Sequence, residues 1–441
     1  MNTPLYDFLC SYRDSGTARL HMPGHKGHSP VTEFDALYAL DITEIKNADS
    51  LFEADGIIAQ SEKNASELFN TATTIYSVCG STLCIQTMLA LMKQEKRTVI
   101  AVRNVHRAFI NAVALLDLDV LWLYPKYCGG ILSGEIDLTE AEKLLKECRK
   151  PSCFYVTSPD YTGKTADIAS LSALCKKYDA RLVVDNAHGA HLAFMPRNQH
   201  PIHLGADLCC DSAHKMLPAL TGAAYLHTSR PEYADRLKQA MSMFASTSPS
   251  YPIMMSLDLC NRYIAENIRA DLGFVLENIN NLKKDFPILS FADSEPLHLT
   301  IKAFESGFNG AEFADLLRKS GVECEYSDTQ FVVLLISPFE PAENFVKLKS
   351  ALNEALKCVK PYSHRENQFR IPVLEKVMSV REAAFSTSEL VNVENSAGRI
   401  SAAVNVPCPP AIPIAVSGEK INSECAEIFK SYGIDRVNVV K

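Results

Sequence analysis

Lysine becomes a chemical tool when small polar residues crowd it and apolar sequence lies close by. Lys215 has that setting: Asp211-Ser212-Ala213-His214 precedes it, and the apolar Leu208–Cys210 comes before those. A lysine near buried surface has a lowered pKa and can form a Schiff base with a carbonyl compound. Asp185 closes the run Arg181-Leu-Val-Val. A carboxylate at that place can keep a pyridine nitrogen protonated, because an opposite charge raises the pKa of the base. Gly80-Ser81-Thr82 runs into the apolar Leu83–Met92. Free N–H groups at a helix start, the helix dipole and two hydroxyls together suit a phosphate. Ser212 and His214 could add to that anion site. His106 follows the run Thr98–Val102 after a short turn and could stack on a pyridine face. His188, three residues after Asp185, could reach a cofactor or a substrate, and Thr157 ends a further apolar run.

Singly, each of these has an ordinary explanation: a helix N-cap, a turn aspartate, a solvated lysine, a structural histidine. In combination they describe a site for pyridoxal 5'-phosphate (PLP), carried by Lys215, with Asp185 holding the ring nitrogen so that the protonated ring acts as an electron sink.

The elements that must position these groups are compact apolar runs, as expected of strands buried on both faces: Thr98–Val102, Val120–Tyr124, Cys153–Thr157, Arg181–Asp185 and Gly222–His227. Helical patterns alternate with them. Leu171, Leu174, Cys175 and Tyr178 share one helix face, and Thr139 with Glu142 reads as a capping box. This predicts an α/β fold with a mostly parallel sheet and its ligands beyond the carboxyl ends of the strands. The phosphate loop is placed before the first strand. Residues 256–286 read as mainly helical. Leu297–Ile301 and Phe331–Ile336 read as strands, and Gly310–Arg318 and Glu343–Leu356 as helices. The expected division is an irregular N-terminal arm over 1–60, a large PLP-binding domain over 61–290 and a small α+β C-terminal domain over 291–441, with a polar linker at 362–370.

The net charge of -8 offers no basic footprint for nucleic acid. No apolar run approaches the roughly 18 residues of a membrane span, and the N-terminus lacks the apolar centre of a signal peptide. The 14 cysteines form no Cys-x-x-Cys pair, so reduced thiols and a cytoplasmic location are expected. His21, His25 and His28 cluster, as do His188 and His191. No His-Glu-x-x-His occurs, however, and no metal is expected.

At these residues the chain resembles the Orn/Lys/Arg decarboxylases, PLP enzymes of the fold-type-I (aminotransferase-like) class. The resemblance rests on His21-Met-Pro-Gly-His-Lys-Gly27, Asp41-Ile-Thr-Glu44, Asp49-Ser-Leu51, Cys79-Gly-Ser-Thr82, Arg103-Asn-Val-His106 and Thr157-Ser-Pro-Asp-Tyr-Thr-Gly163. It rests equally on Asp185-Asn-Ala-His188, Ser212-Ala-His-Lys215, Leu217–Thr221, Pro407–Pro413 and Gly418-Glu419. Four positions depart from the pattern. Asn186 stands where the family often has Glu, Cys408 and Ala411 where it often has Tyr and Gly, and Gly222 where Gln is common.

The resemblance implies α-decarboxylation of arginine, lysine or ornithine to CO₂ and a di- or polyamine precursor, as in polyamine biosynthesis. It also implies a homodimer or higher assembly in which the arm helps build the site. The chain looks like the short form, without the receiver-like N-terminal domain of larger members. Another fold-type-I reaction, such as an aminotransferase or aldolase, and a catalytically silent PLP-binding homologue are the alternatives. Asp293 and Glu295 are candidates for the distal end of the substrate.

Overall fold

The computed structural model describes residues 1–29, 32–128, 130–148, 151–363, 370–403 and 411–441. Residues 364–369 of the expected linker and 407–410 of the Pro-rich segment, with Cys408, lie outside them. The strands among the described residues are β1 (Thr73–Ser77), β2 (Thr98–Val102), β3 (Val120–Leu123), β4 (Lys126–Tyr127), β5 (Gly134–Glu135), β6 (Ser152–Thr157) and β7 (Arg181–Asp185). They continue with β8 (Leu208–Asp211), β9 (Ala224–Thr228), β10 (His298–Lys302), β11 (Tyr326–Ser327), β12 (Phe331–Leu335), β13 (Ser388–Asn392) and β14 (Arg436–Val440).

The main sheet has the order β1-β9-β8-β7-β6-β2-β3. β2 pairs in parallel with β3 and β6, and β7 in parallel with β8. β9 runs antiparallel to both β8 and β1. The fold is therefore α/β with a mostly parallel sheet. Two of its strands escape the apolar-run reading. β1, Thr-Thr-Ile-Tyr-Ser, is polar in composition, and the four-residue β8 ends on a charge. Because β1 precedes Gly80, the phosphate loop follows a strand instead of preceding the first one.

The chain divides into two compact units. The first comprises Met1–Glu95, Leu171–Lys176 and Arg181–Ala270 and carries β1, β7, β8 and β9. Its N-terminal stretch is less irregular than expected, since Pro4–Asp14 is a helix. Proline at its start costs no hydrogen bond. Leu5 and Leu9, one turn apart, are buried, and the Asp258 carboxylate accepts from the N–H groups of Leu5 (3.1 Å) and Tyr6 (3.0 Å).

Two of the arm motifs meet: His25 Nε2 lies 3.1 Å from Asp41 Oδ2, and its ring stacks on Tyr38 at 4.3 Å. The Asp49 carboxylate accepts from the N–H groups of Gly56, Ile58 and Ala59 and so closes the start of the helix Ile57–Phe69. Burial works to raise the pKa of Asp49, but the N–H groups of Ser50, Asp55, Ala59 and Gly56 outweigh it and hold it below the usual carboxylate range.

The second unit comprises Lys96–Ser170, Lys177–Ala180 and Asp271–Lys441. It carries β2, β3 and β6, the hairpin β4–β5, the antiparallel sheet β10-β12-β11 and the antiparallel pair β13–β14. One apolar core joins Ile131 and Leu132 to Phe331, Val333, Ile428 and Val437. Its helix Leu138–Glu147 is capped by Asp137, whose side chain accepts from Thr139 N at 2.9 Å, so the expected Thr139 capping box gives way to an aspartate two residues earlier. Among the described residues no helix is long and apolar enough to cross a membrane.

Candidate active site

The first unit brings together most of the residues read from the sequence. After β1 the chain turns through Gly80, at φ +69°, into the helix Gly80–Gln94. A Cβ at Gly80 would meet nothing within 4 Å, so the backbone angle alone favours glycine there. The turn is held by Gly80 N donating to Gly222 O at 2.7 Å and by Ser77 Oγ donating to Gly80 O at 2.9 Å. Gly222 itself sits at φ +97°, an angle that a glutamine would adopt only with strain. The helix start therefore presents the N–H groups of Ser81 and Thr82 with their hydroxyls, and Ser212 Oγ donates to Ser81 Oγ at 2.9 Å. Two hydroxyls from separate elements thus converge at the positive end of a 15-residue helix.

Asp185 ends β7 almost fully buried, at 2% exposure. Its Oδ1 accepts from Ala187 N at 3.2 Å and from Cys210 Sγ at 3.7 Å. His188 is also buried, and its Nε2 lies 2.9 Å from Lys215 Nζ. Lys215 follows β8 in the short helix Ala213–Met216 and is exposed, contrary to the desolvated setting that its neighbours suggest. His214 Nδ1 donates to Ala223 O at 2.9 Å. Burial, with a smaller contribution from the charge of Lys215, pushes the His214 pKa below the ordinary histidine value.

The other two predicted residues belong to the second unit. His106 caps the helix Arg107–Leu116, its Nδ1 accepting from Ala108 N at 3.1 Å. Thr157 ends β6, and its buried Oγ1 has no hydrogen-bond partner. Arg103, fully buried at the end of β2, donates to Pro413 O (2.8 Å) and pairs with Glu419 (3.1 Å), while Arg107 N donates to Ala411 O (2.9 Å). The Arg103–His106 motif is thereby fastened to the C-terminal segment. Glu295 is spent on its own turn: its carboxylate accepts from the N–H groups of Leu297 and His298 and contacts the His298 ring.

The donor chemistry fits PLP. Hydroxyls and N–H groups at a helix start suit its phosphate, a buried carboxylate suits its ring nitrogen, and an amine beside an imidazole suits its aldehyde carbon. With a mostly parallel sheet carrying these groups at its strand ends, the fold and site define a PLP-dependent enzyme of the aminotransferase-like class. The chain belongs to the Orn/Lys/Arg decarboxylase family: residues 3–302 match the family's major domain and residues 363–432 its C-terminal domain. It is a PLP-dependent amino-acid decarboxylase.

Two relatives from Bacillus subtilis (strain 168) are similar over nearly the whole length. One, named arginine decarboxylase, is 28% identical over 459 residues, covering 97% of this chain and 93% of the relative. The other, described as uncharacterized protein YaaO, is 28% identical over 449 residues with the same coverage. The crystal structure of the Francisella novicida lysine decarboxylase LdcF shares the fold, with a TM-score of 0.85 at 16% identity, covering 100% of this chain and 81% of that one.

Proposed function

We propose that this enzyme decarboxylates arginine, with lysine and ornithine as the competing basic amino acids, releasing CO₂ and the corresponding amine. The observation that carries the reading is the Lys215–His188 contact at 2.9 Å, built from the two strand ends that also present Asp185 and Ser212. Arginine is preferred because a relative named arginine decarboxylase aligns across 97% of the chain.

When bound, PLP would supply an electron sink for the bonding pair released by decarboxylation. Lys215 attaches the cofactor. Asp185 would hold the proton on the ring nitrogen, and its burial would strengthen that interaction. Ser81, Thr82, Ser212 and His214, together with the Gly80 turn, would bind the phosphate, and Thr157 would add a hydroxyl. His106 would cover the ring face. His188 exchanges a proton with Lys215, so either group can return a proton to the substrate carbon; His188 also orients the ring oxygen or the substrate.

The same proposal takes 1–60 as arm, 61–290 as PLP-binding domain and 291–441 as small domain, in a homodimer or larger homo-oligomer. A cytoplasmic location goes with the free thiols of the described cysteines.

The test is CO₂ release with PLP from arginine, lysine and ornithine offered separately, beside Lys215→Ala. Turnover of arginine that vanishes in the variant is the expected result. Turnover of lysine or ornithine alone replaces the substrate. No turnover on any of the three, with lysine-linked PLP still visible by absorbance, overturns the basic-amino-acid reading.

A further inference from the structure

Behind the site lies a carboxylate that the mechanism does not use. Asp211 is the last residue of β8 and is fully buried. Its Oδ2 lies 3.0 Å from His200 Nε2 and 3.2 Å from His227 Nε2. Its Oδ1 accepts from Asn186 Nδ2 at 2.7 Å and from Cys209 Sγ at 3.6 Å. An ionised carboxylate only accepts, so both rings present Nε2–H to it. Four donors then occupy two oxygens, the condition under which a buried charge is tolerated. Burial acts to raise the Asp211 pKa, but the two histidines overcome it, and the group lies far below the usual carboxylate range.

The network is itself braced. His227 Nδ1 is 2.8 Å from Thr74 Oγ1 on β1, and the Phe69 ring packs on both imidazoles. Asn186 is fixed at three points: its N–H donates to Cys210 O (3.0 Å), its carbonyl accepts from Gly189 N (2.7 Å), and its amide reaches Asp211. A Cβ on Gly189 would fall 2.0 Å from Asn186 Oδ1, so glycine there leaves the amide its place.

The position of this bond is what matters. Asn186 directly follows Asp185, and Asp211 directly precedes Ser212 and the turn to Lys215. The side-chain bond joins the residue after the pyridine-nitrogen carboxylate to the residue before the phosphate hydroxyl. We propose that Asn186 and Asp211 are a matched pair of positioning residues, which set the spacing between Asp185 on one strand end and Ser212–Lys215 on the next.

The pairing accounts for the departure at 186. A glutamate there would bring a second carboxylate against one already ionised and buried, and like charges in such a place repel strongly. An amide donates instead. The inference rests on the reading of Asp185 and Lys215 as PLP-holding residues.

The test uses the full chain and three variants: Asn186→Ala, Asn186→Asp and the reciprocal double Asn186→Asp/Asp211→Asn. PLP affinity is read from the visible absorbance of lysine-linked cofactor, together with the pH profile of that band. Circular dichroism and thermal melting of the apoprotein are read in parallel. N186A removes the donor without adding charge and is expected to stay folded. It should weaken PLP binding by about tenfold or more and displace the pH profile. N186D should be worse, and the double variant, which restores an amide–carboxylate pair, should recover most of the loss.

A folded N186A with unchanged PLP affinity and pH profile overturns the proposal. So does a double variant no better than N186D. Loss of apoprotein folding in N186A, with the double variant not rescuing it, also overturns it by making the pair purely architectural. Persistence of the lysine-linked band in Lys215→Ala would instead sink the underlying site reading and leave a distinct signature.

Discussion

Ala411 adopts φ +56°, a left-handed angle that an L side chain takes only against its Cβ. Its carbonyl accepts from Arg107 N, so the angle is imposed by the fastening of the C-terminal segment to the residue after His106. The family often has glycine here, and the geometry supplies the reason. Ala411→Gly should therefore stabilise the protein. Relief of the left-handed cost, partly offset by the extra freedom of glycine in the unfolded chain, comes to about 1 kcal/mol. In a chain of this size that raises the melting temperature by roughly 2 °C. Thermal melting of the apoprotein checks it, and a lower melting temperature would show that the alanine methyl makes a packing contribution worth more than the strain.

Individual residues also mark where sequence reading stopped. The placement of Asp185 at the end of β7 was legible, because a charge closing an apolar run is a local mark, whereas the exposure of Lys215 was not. Asn186 and Asp211 stood in the motifs already quoted, but their bond spans 25 positions and has no local mark. The Arg103–Glu419 pair spans 316.

Elements differ in the same way. β2 and β7 were legible to the residue, because strands buried on both faces show as unbroken apolar runs. β1 was missed because four of its five residues carry hydroxyls: Thr73, Thr74, Tyr76 and Ser77. Thr74 meets His227 on β9, so its polarity serves a buried network instead of a solvent face.

That network predicts a pH dependence. Burial lowers the pKa of His227 despite the opposing charge of Asp211, and it lowers that of His214 as well. In the unfolded chain a histidine titrates near 6.5. A group whose folded pKa is depressed binds more protons when unfolded. Its contribution is therefore present above about pH 6.5 and is lost as pH falls toward the folded value. Melting temperature should drop between pH 7.5 and 5.5. His227→Gln keeps a side-chain N–H for Asp211 but cannot titrate, so its melting temperature should be lower at pH 7.5 and vary less with pH. An equally steep profile in the variant would assign the dependence to other groups.

On the scale of the whole molecule, the arm raises the question of what it packs against. Leu20 is 93% exposed and Met22 64% exposed, on either side of His21, in a segment that the family resemblance marks as a motif. The helix Pro4–Asp14 buries Leu5 and Leu9, but the segment around His21 is held within its own chain by polar and ring contacts: Tyr12 with His21, and His25 with Asp41 and Tyr38. Two large apolar side chains turned to solvent beside those contacts are explained if a second copy of the chain covers them, in keeping with the symmetric pairing common among soluble enzymes. Leu20→Asp should then weaken self-association, because a carboxylate buried against apolar surface is strongly unfavourable. Light scattering coupled to size exclusion should show the unmodified protein as at least a dimer and the variant shifted toward monomer, with decarboxylation falling in parallel on dilution. If the unmodified protein is a monomer with full turnover at assay concentration, each chain builds its site alone, and the exposed Leu20 and Met22 need a different partner.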